Sequence, residues 1–230
     1  MQFQTIICDP PWGAKDLLRM SSVKRGAAAN YDTLTTEQLC ALPIKDISDP
    51  NGCVLALWVL GSMLQDGLDV MNAWGFQQKQ VYVWNKTKQQ SSINKLAFKD
   101  IITSVKKVKD DPKALIRELS KSSLKMGDWL LGFGMGRLFR STHEICLIGI
   151  NNTKIYRQLE NKSQRSVCFD INKGHSIKPE ALQDSLELMF PHNKKCELFA
   201  RRQRNGWVCL GNEVCDGEDI TVSLNRVKNE

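Results

Sequence analysis

The sequence predicts an α/β fold: an open, mostly parallel sheet with helices on both faces. Short apolar runs of strand length alternate with stretches in which apolar residues recur at helical spacing. At least one of those runs is continuously apolar, as in a strand covered on both faces. Of the 230 residues, 42% are hydrophobic, enough for a sizeable core in one domain. Such sheets bind ligands outside the C-terminal ends of their strands, so loops leaving those ends are where function is sought.

Taken in order, residues 5–8 (Thr-Ile-Ile-Cys) read as a buried strand. Residues 35–42 read as a short helix, with Thr35 or Thr36 as N-cap and Pro43 beyond its end. Residues 53–59 form the continuous apolar run. Met63, Leu64, Leu68, Met71 and Ala73 space a helix over 62–74, and Gly75 supplies its C-cap. Residues 80–84, 144–150, 196–199 and 207–210 read as further strands. Pro179 opens an amphipathic helix over 179–190, with Leu182, Leu186 and Met189 on one stripe. The polar residues 223–230 are expected to fray.

One stretch breaks the alternation. Ile93, Leu96, Ala97, Ile101, Val105 and Val108 space one lysine-rich helix, and Leu115, Leu119 and Leu124 a second. Asp110-Asp111-Pro112 separates them. The expected organisation is a single domain over 1–230 that carries a helical insertion over 87–131. Gly132, Gly134 and Gly136 follow as a glycine-rich loop without the G-x-G-x-x-G spacing.

The most informative tetrapeptide is Asp9-Pro10-Pro11-Trp12, directly after the first strand. Proline fixes φ and lacks an amide donor, so Pro10 and Pro11 end the strand and stiffen the turn. The Asp9 carboxylate and the Asp9 and Pro10 carbonyls then make a rigid cluster of acceptors beside an indole plane. An exocyclic amine on a flat base fits such a cluster. The plainer alternative is an Asx-type turn followed by a packed Trp.

Charge and cysteine usage narrow the class. The formal net charge is +7. Between Lys86 and Asp128 there are eleven Lys or Arg against five Asp or Glu. Smaller basic clusters are Lys15, Arg19, Lys24 and Arg25, and Lys194, Lys195, Arg201, Arg202 and Arg204. Each could be a solvated face; three around one site favour a phosphate-lined substrate. No apolar run approaches the roughly 20 residues that cross a bilayer. None of the eight cysteines forms a C-x-x-C pair, so a reduced, cytoplasmic protein without a zinc site is expected.

These residues together resemble a known family, the DPPW-type N6-adenine methyltransferases of the MT-A70-like group. After Asp9-Pro10-Pro11-Trp12 come Tyr31-Asp32-Thr33-Leu34, Leu57-Trp58-Val59, Ala73-Trp74-Gly75-Phe76 and Val83-Trp84-Asn85-Lys86. Beyond the insertion come His143-Glu144, Ser176-Ile177-Lys178-Pro179, Glu197-Leu198-Phe199-Ala200-Arg201 and Gly211-Asn212-Glu213. Their order and spacing carry the likeness nearly end to end. The small phage and bacterial members are the nearest in form.

The resemblance implies a Rossmann-like methyltransferase with permuted motif order, using S-adenosylmethionine and no metal. It implies catalysis at Asp9, Pro10, Pro11 and Trp12. It assigns the cofactor to Asp9, Lys178, Phe199, Arg201, Gln203, Asn212 and Glu213, and the base to Trp12, Tyr31, Asn85 and Lys86. Gln203 and Arg204 stand where the messenger-RNA enzyme of the family has a His-Asn pair. That enzyme reaches the cofactor adenine from an upstream segment; Asp219-Ile220 are the candidates for that contact here. His143 and Glu144 could suggest acid–base work, or Glu144 could orient a loop. The implied partner is nucleic acid, with DNA favoured over RNA. The alternatives are the same reaction on RNA adenosine and a non-catalytic nucleic-acid-binding subunit. The insertion is the candidate target reader or homodimer surface.

Overall fold

A computed structural model describes residues 1–13, 33–108, 111–123, 126–132, 134, 138–174, 177–214 and 218–229. The elements, in chain order, are β1 (Thr5–Cys8), α1 (Thr36–Cys40), α2 (Ile44–Ile47), β2 (Val54–Val59), α3 (Leu64–Ala73) and β3 (Gln77–Thr87). Then come α4 (Gln90–Val108), α5 (Pro112–Ser123), α6 (Met126–Leu130), β4 (His143–Ile150) and β5 (Val167–Ile171). The chain ends with α7 (Ala181–Met189), β6 (Lys195–Leu198), β7 (Trp207–Leu210) and α8 (Ile220–Asn229). The strands form one mixed, mostly parallel sheet in the order β5-β3-β4-β2-β1-β6-β7. The chain divides into two compact units.

The first unit comprises Met1–Val83, Ile145–Ser166 and Glu180–Glu230. All ten residues of β1 and β2 are buried, which is why both are unbroken apolar runs apart from Thr5. β1 pairs in parallel with β2, Cys8 opposite Leu57, and with β6, Cys8 opposite Leu198. β6 pairs in parallel with β7, Leu198 opposite Leu210. β4 runs antiparallel to β2, from Val54 opposite Ile150 to Val59 opposite Ile145. Around these strands Leu39, Val70, Met71, Trp74 and Leu224 close a single apolar core.

Local chemistry fixes the helices. Thr35 caps α1 in a capping box: its hydroxyl accepts from the Gln38 amide at 3.2 Å, and the Gln38 side chain accepts from the Thr35 amide at 2.8 Å. The Trp74 indole donates to the Leu39 carbonyl at 2.8 Å, tying the end of α3 to α1. Gly75, at φ +82°, terminates α3 in the left-handed conformation expected of it.

The C-terminus departs from expectation. Residues 220–229 form α8 instead of fraying, with Ile220, Leu224 and Val227 buried along one stripe. Asp219 caps it, accepting from the Thr221 amide at 2.8 Å, and the N-terminal amine donates to the Val227 carbonyl at 2.7 Å. The Ile220 side chain is thereby buried in the core.

The second unit comprises Trp84–Glu144 and Val167–Pro179. It holds the two expected helices, α4 and α5. Asp111 caps α5, accepting from the Lys113 and Ala114 amides at 2.9 and 3.1 Å, with Pro112 at the first helical position. The Trp129 indole of α6 donates to Asp100 of α4 at 2.8 Å.

Candidate active site

β1, β6 and β7 run parallel and in register, so their C-terminal ends lie on one edge of the first unit. Asp9–Trp12 leave from β1, Phe199–Arg201 from β6 and Gly211–Glu213 from β7. Eight of the predicted site residues therefore emerge at neighbouring strand ends of one unit: Asp9, Pro10, Pro11, Trp12, Phe199, Arg201, Asn212 and Glu213.

The Asp9-Pro10-Pro11-Trp12 turn is clamped by backbone and indole. The Trp12 amide donates to the Pro10 carbonyl at 2.9 Å, closing a γ-turn across Pro11. The Leu34 amide donates to the Pro11 carbonyl at 2.9 Å, and the Gly13 amide to the Leu34 carbonyl at 3.0 Å. The Trp12 indole donates to the Trp58 carbonyl at 2.8 Å. Two expectations need correction here. Pro10 does not offer an idle carbonyl; Trp12 uses one of its two lone pairs, and one remains. Nor does Trp12 offer an open plane to a base: it is 3% exposed and belongs to the core cluster, because its N–H finds its partner inside. Asp9 is half-buried beside this turn.

The β6 end is strained. Phe199 has φ +58°, a conformation rare for a bulky side chain, at a cost of roughly 1–3 kcal/mol. The chain then rejoins β7, the Ala200 amide donating to the Leu210 carbonyl at 2.9 Å. Gly211 lies against this kink: a Cβ there would sit 2.5 Å from the Ala200 oxygen and 2.7 Å from its nitrogen. Beyond the kink, the Arg201 guanidinium meets Glu213 at 3.5 Å, and Asn212 is exposed beside it. Sequence reasoning had no signal for the Phe199 kink; Gly211 was its only trace.

Other charges of the third basic cluster are committed to the fold. Arg204 bonds Glu187 at 2.8 Å, Glu180 at 2.8 Å and Asp184 at 2.6 Å, all along α7, and Arg202 bonds Glu180 at 2.8 Å. The Arg204 hydrogen bond holds the Glu187 carboxyl below its usual range. Gln203 is exposed between these two arginines. Lys195 is buried and donates to the Pro191 and Asn193 carbonyls at 3.1 and 2.9 Å. The cluster expected as a phosphate-facing patch thus spends four of its five cations, Arg201, Arg202, Arg204 and Lys195, on acceptors of the chain itself. Glu197 of β6 is pushed up by burial, with the Asp9 charge adding to the shift. The Gln183 side chain donates to it at 3.4 Å.

In the second unit one carboxylate joins two motifs. Glu144, at the start of β4, meets Lys86 at 2.7 Å and Lys178 at 3.3 Å. Burial alone would raise the Glu144 carboxyl; the Lys178 charge and the Lys86 hydrogen bond outweigh it and hold it below its usual value. The Lys86 ammonium also sits 5.3 Å above the Trp84 ring. Asn85, half-buried, precedes it.

The remaining predicted positions fall elsewhere. Tyr31 and the cluster Lys15, Arg19, Lys24 and Arg25 lie outside the described residues, as do His175 and Ser176. A cavity of about 580 Å³ lies at the opposite edge of the first unit, lined by Gln2, Lys45, Asp46 and Trp74 among others, and gathers none of the predicted site residues. Among the described residues no group of three His, Cys, Asp or Glu is placed to hold a metal ion, and no helix is long and apolar enough to cross a membrane.

The MT-A70 family model matches residues 3–109 and 122–213. The chain belongs to the MT-A70 family. Its relatives include the Type II methyltransferase M.MunI of Mycoplasma sp, 26% identical over 94% of this chain and 80% of that protein. They also include the human N(6)-adenosine-methyltransferase catalytic subunit METTL3, 23% identical over 93% of this chain and 28% of that protein. The N(6)-adenosine-methyltransferase MT-A70-like protein of Drosophila melanogaster is 23% identical over 93% of this chain and 27% of that protein. The chain spans about a quarter of the length of these two N(6)-adenosine methyltransferases. As an MT-A70 methyltransferase the chain has its signature turn at the C-terminal end of β1, the strand between β2 and β6.

Proposed function

We propose that this chain transfers a methyl group from S-adenosylmethionine to the N6 amine of adenine in DNA. The clamped Asp9-Pro10-Pro11-Trp12 turn is the observation that supports this most. The adenine amine is a poor nucleophile because its lone pair is delocalised into the ring. The Asp9 carboxylate accepts one amine hydrogen, and the remaining lone pair of the Pro10 carbonyl accepts the other. Holding both steers the nitrogen toward a pyramidal geometry with an exposed lone pair. As positive charge grows on that nitrogen, the Asp9 anion stabilises it more than in the ground state. Trp12 keeps the acceptors in place. Positioning of this kind alone can remove roughly 7–11 kcal/mol of barrier.

The residues present fit the cofactor. Asn212 and Glu213 offer polar groups suited to ribose hydroxyls, and Gly211 leaves backbone uncovered where any side chain would intrude. Phe199, Arg201 and Gln203 line the adjoining loop, and Lys178 supplies a cation suited to the methionine carboxylate. When bound, the cofactor supplies an electrophilic methyl on a sulfonium. Asn85, Lys86 and Tyr31 are assigned to the substrate base and its surroundings. A base within a duplex has to be flipped out to be methylated. The lysine-rich helices of the second unit are assigned to reading the target or to forming a homodimer. The seven described cysteines are outside any disulfide, in keeping with a reducing, cytoplasmic setting.

DNA is favoured because the likeness extends over most of a Type II methyltransferase, and because DNA is the usual substrate of the small phage and bacterial members that the chain resembles. The test is mass spectrometry of nucleosides from DNA and RNA of cells expressing the chain or its Asp9→Ala form. N6-methyldeoxyadenosine that appears with the unaltered chain and vanishes with Asp9→Ala is expected. Methylation confined to RNA moves the target to adenosine in RNA. Neither product leaves the non-catalytic subunit.

A further inference from the structure

We infer that Glu144 is a positioning residue, whose carboxylate fixes the Lys178 ammonium as a donor for a ligand carboxylate by binding it together with Lys86. The inference rests on the assignment of Lys178 to the cofactor made above, and deepens it.

The geometry divides one carboxylate between two chain segments. Oε1 of Glu144 meets Lys86 Nζ at 2.7 Å, and Oε2 meets Lys178 Nζ at 3.3 Å. The two lysine side chains are each 15% exposed, well below the 70% of Lys121 in its surface pair with Glu118. Lys86 lies near the end of β3, whereas Lys178 follows β5. Without Glu144 two ammonium groups would approach one another in a half-buried place. With it, one carboxylate lies between the two ammonium groups.

The frame around the carboxylate is rigid. Lys86 is held on both sides of its peptide: its amide donates to the Thr142 carbonyl at 2.8 Å, and its carbonyl accepts from the Gly132 amide at 2.8 Å. Its ammonium is further fixed over the Trp84 ring. A lysine stem has up to about 2 kcal/mol of rotamer entropy to lose when its end is localised. Here folding has already localised it, so a ligand meets a donor ordered in advance.

The test is calorimetry with S-adenosylhomocysteine on the full chain, using Glu144→Gln, Lys178→Ala and the double variant. Glu144→Gln is expected to weaken binding by about tenfold or more, the scale of one hydrogen bond to a charged group. The double variant is expected to bind no more weakly than Lys178→Ala alone, because both changes act on one donor. In turnover, Glu144→Gln is expected to raise KM for the methyl donor with kcat held within about twofold, the signature of lost uniform binding. Affinity of Glu144→Gln equal to the unaltered chain, or losses that multiply in the double variant, overturns the inference. Should Glu144→Gln not fold, Glu144→Asp keeps the charge on a shorter arm; unchanged affinity there overturns it equally. A Lys178→Ala form that binds as the unaltered chain does overturns the cofactor assignment and this inference together. A loss at Lys178 without one at Glu144 overturns this inference alone.

Discussion

Gly211→Ala tests whether the close approach of β7 to the Phe199 kink is built into the site. The added methyl would lie 2.5 Å from the Ala200 oxygen, 2.7 Å from the Ala200 nitrogen and 3.0 Å from the Phe199 carbonyl carbon. All three are backbone atoms, so no flexible side chain can yield; the kink or the β7 end has to move. Overpacking of this kind costs roughly 1–3 kcal/mol, and the stiffer unfolded chain returns roughly 0.4–1 kcal/mol. The net is a destabilisation of about 1–2 kcal/mol, which lowers Tm by roughly 2–8 °C in a chain of this size. Gly61→Ala is the control, since nothing lies within 4 Å of its added methyl. Differential scanning calorimetry reads the stability, and titration with S-adenosylhomocysteine reads the loop beyond the kink. The expected pattern is a lowered Tm and weakened binding for Gly211→Ala, with neither at Gly61. A Gly211→Ala chain that melts and binds like the unaltered one refutes the reasoning.

Three further outcomes are expected. Trp12→Phe removes the donor to the buried Trp58 carbonyl and should cost about 1–3 kcal/mol by chemical denaturation, with a larger fractional loss of methyl transfer because the Asp9 turn loosens. Glu197→Gln removes a carboxyl that burial holds above its ordinary value of 4.5, so its ionisation penalises the folded state. Stability of the unaltered chain is therefore full below that pH and falls as pH rises through the folded pKa; the Gln form should lose this decline in melts taken from acid to neutral pH. Lys106 and Lys107 are exposed in the last turn of α4, and converting both to Gln should make the slope of log affinity against log salt shallower by about 1–2 on duplex DNA.

What could be read in advance follows from where each signal is stored. β1 and β2 were legible because strands covered on both faces need uninterrupted apolar residues, and α1 because a capping box is spelled within four positions. β5 was missed: Val167–Ile171 is short and largely half-exposed, so it carries no alternation strong enough to see. α8 was misread because Ile220, Leu224 and Val227 are spaced among polar residues in a tail that looks solvated. At the site, the Asp9 turn and the Lys86, Lys178 and Arg201 motifs were visible as residue types in order. Their pairings were not. Nothing local says that Trp12 turns its N–H inward, that Glu144 reaches two lysines, or that Arg204 spends itself on α7. Those outcomes depend on which segments the sheet order brings side by side.

The burial of Trp12 strengthens the case for a positioning catalyst. An indole free to stack on a base would be mobile when no base is present, and the two acceptors before it would move with it. Fastened to Trp58, it fixes the γ-turn instead, and the adjacent prolines leave Asp9 and Pro10 little freedom. A reaction whose electrophile arrives already activated needs little acid–base machinery from the protein; it needs a nitrogen held still and a negative charge held near it. Glu197 fits the same logic. Burial makes it reluctant to ionise, and the neighbouring Asp9 charge adds to that reluctance. The carboxylate that the proposed reaction would use is the one at the end of a rigid turn.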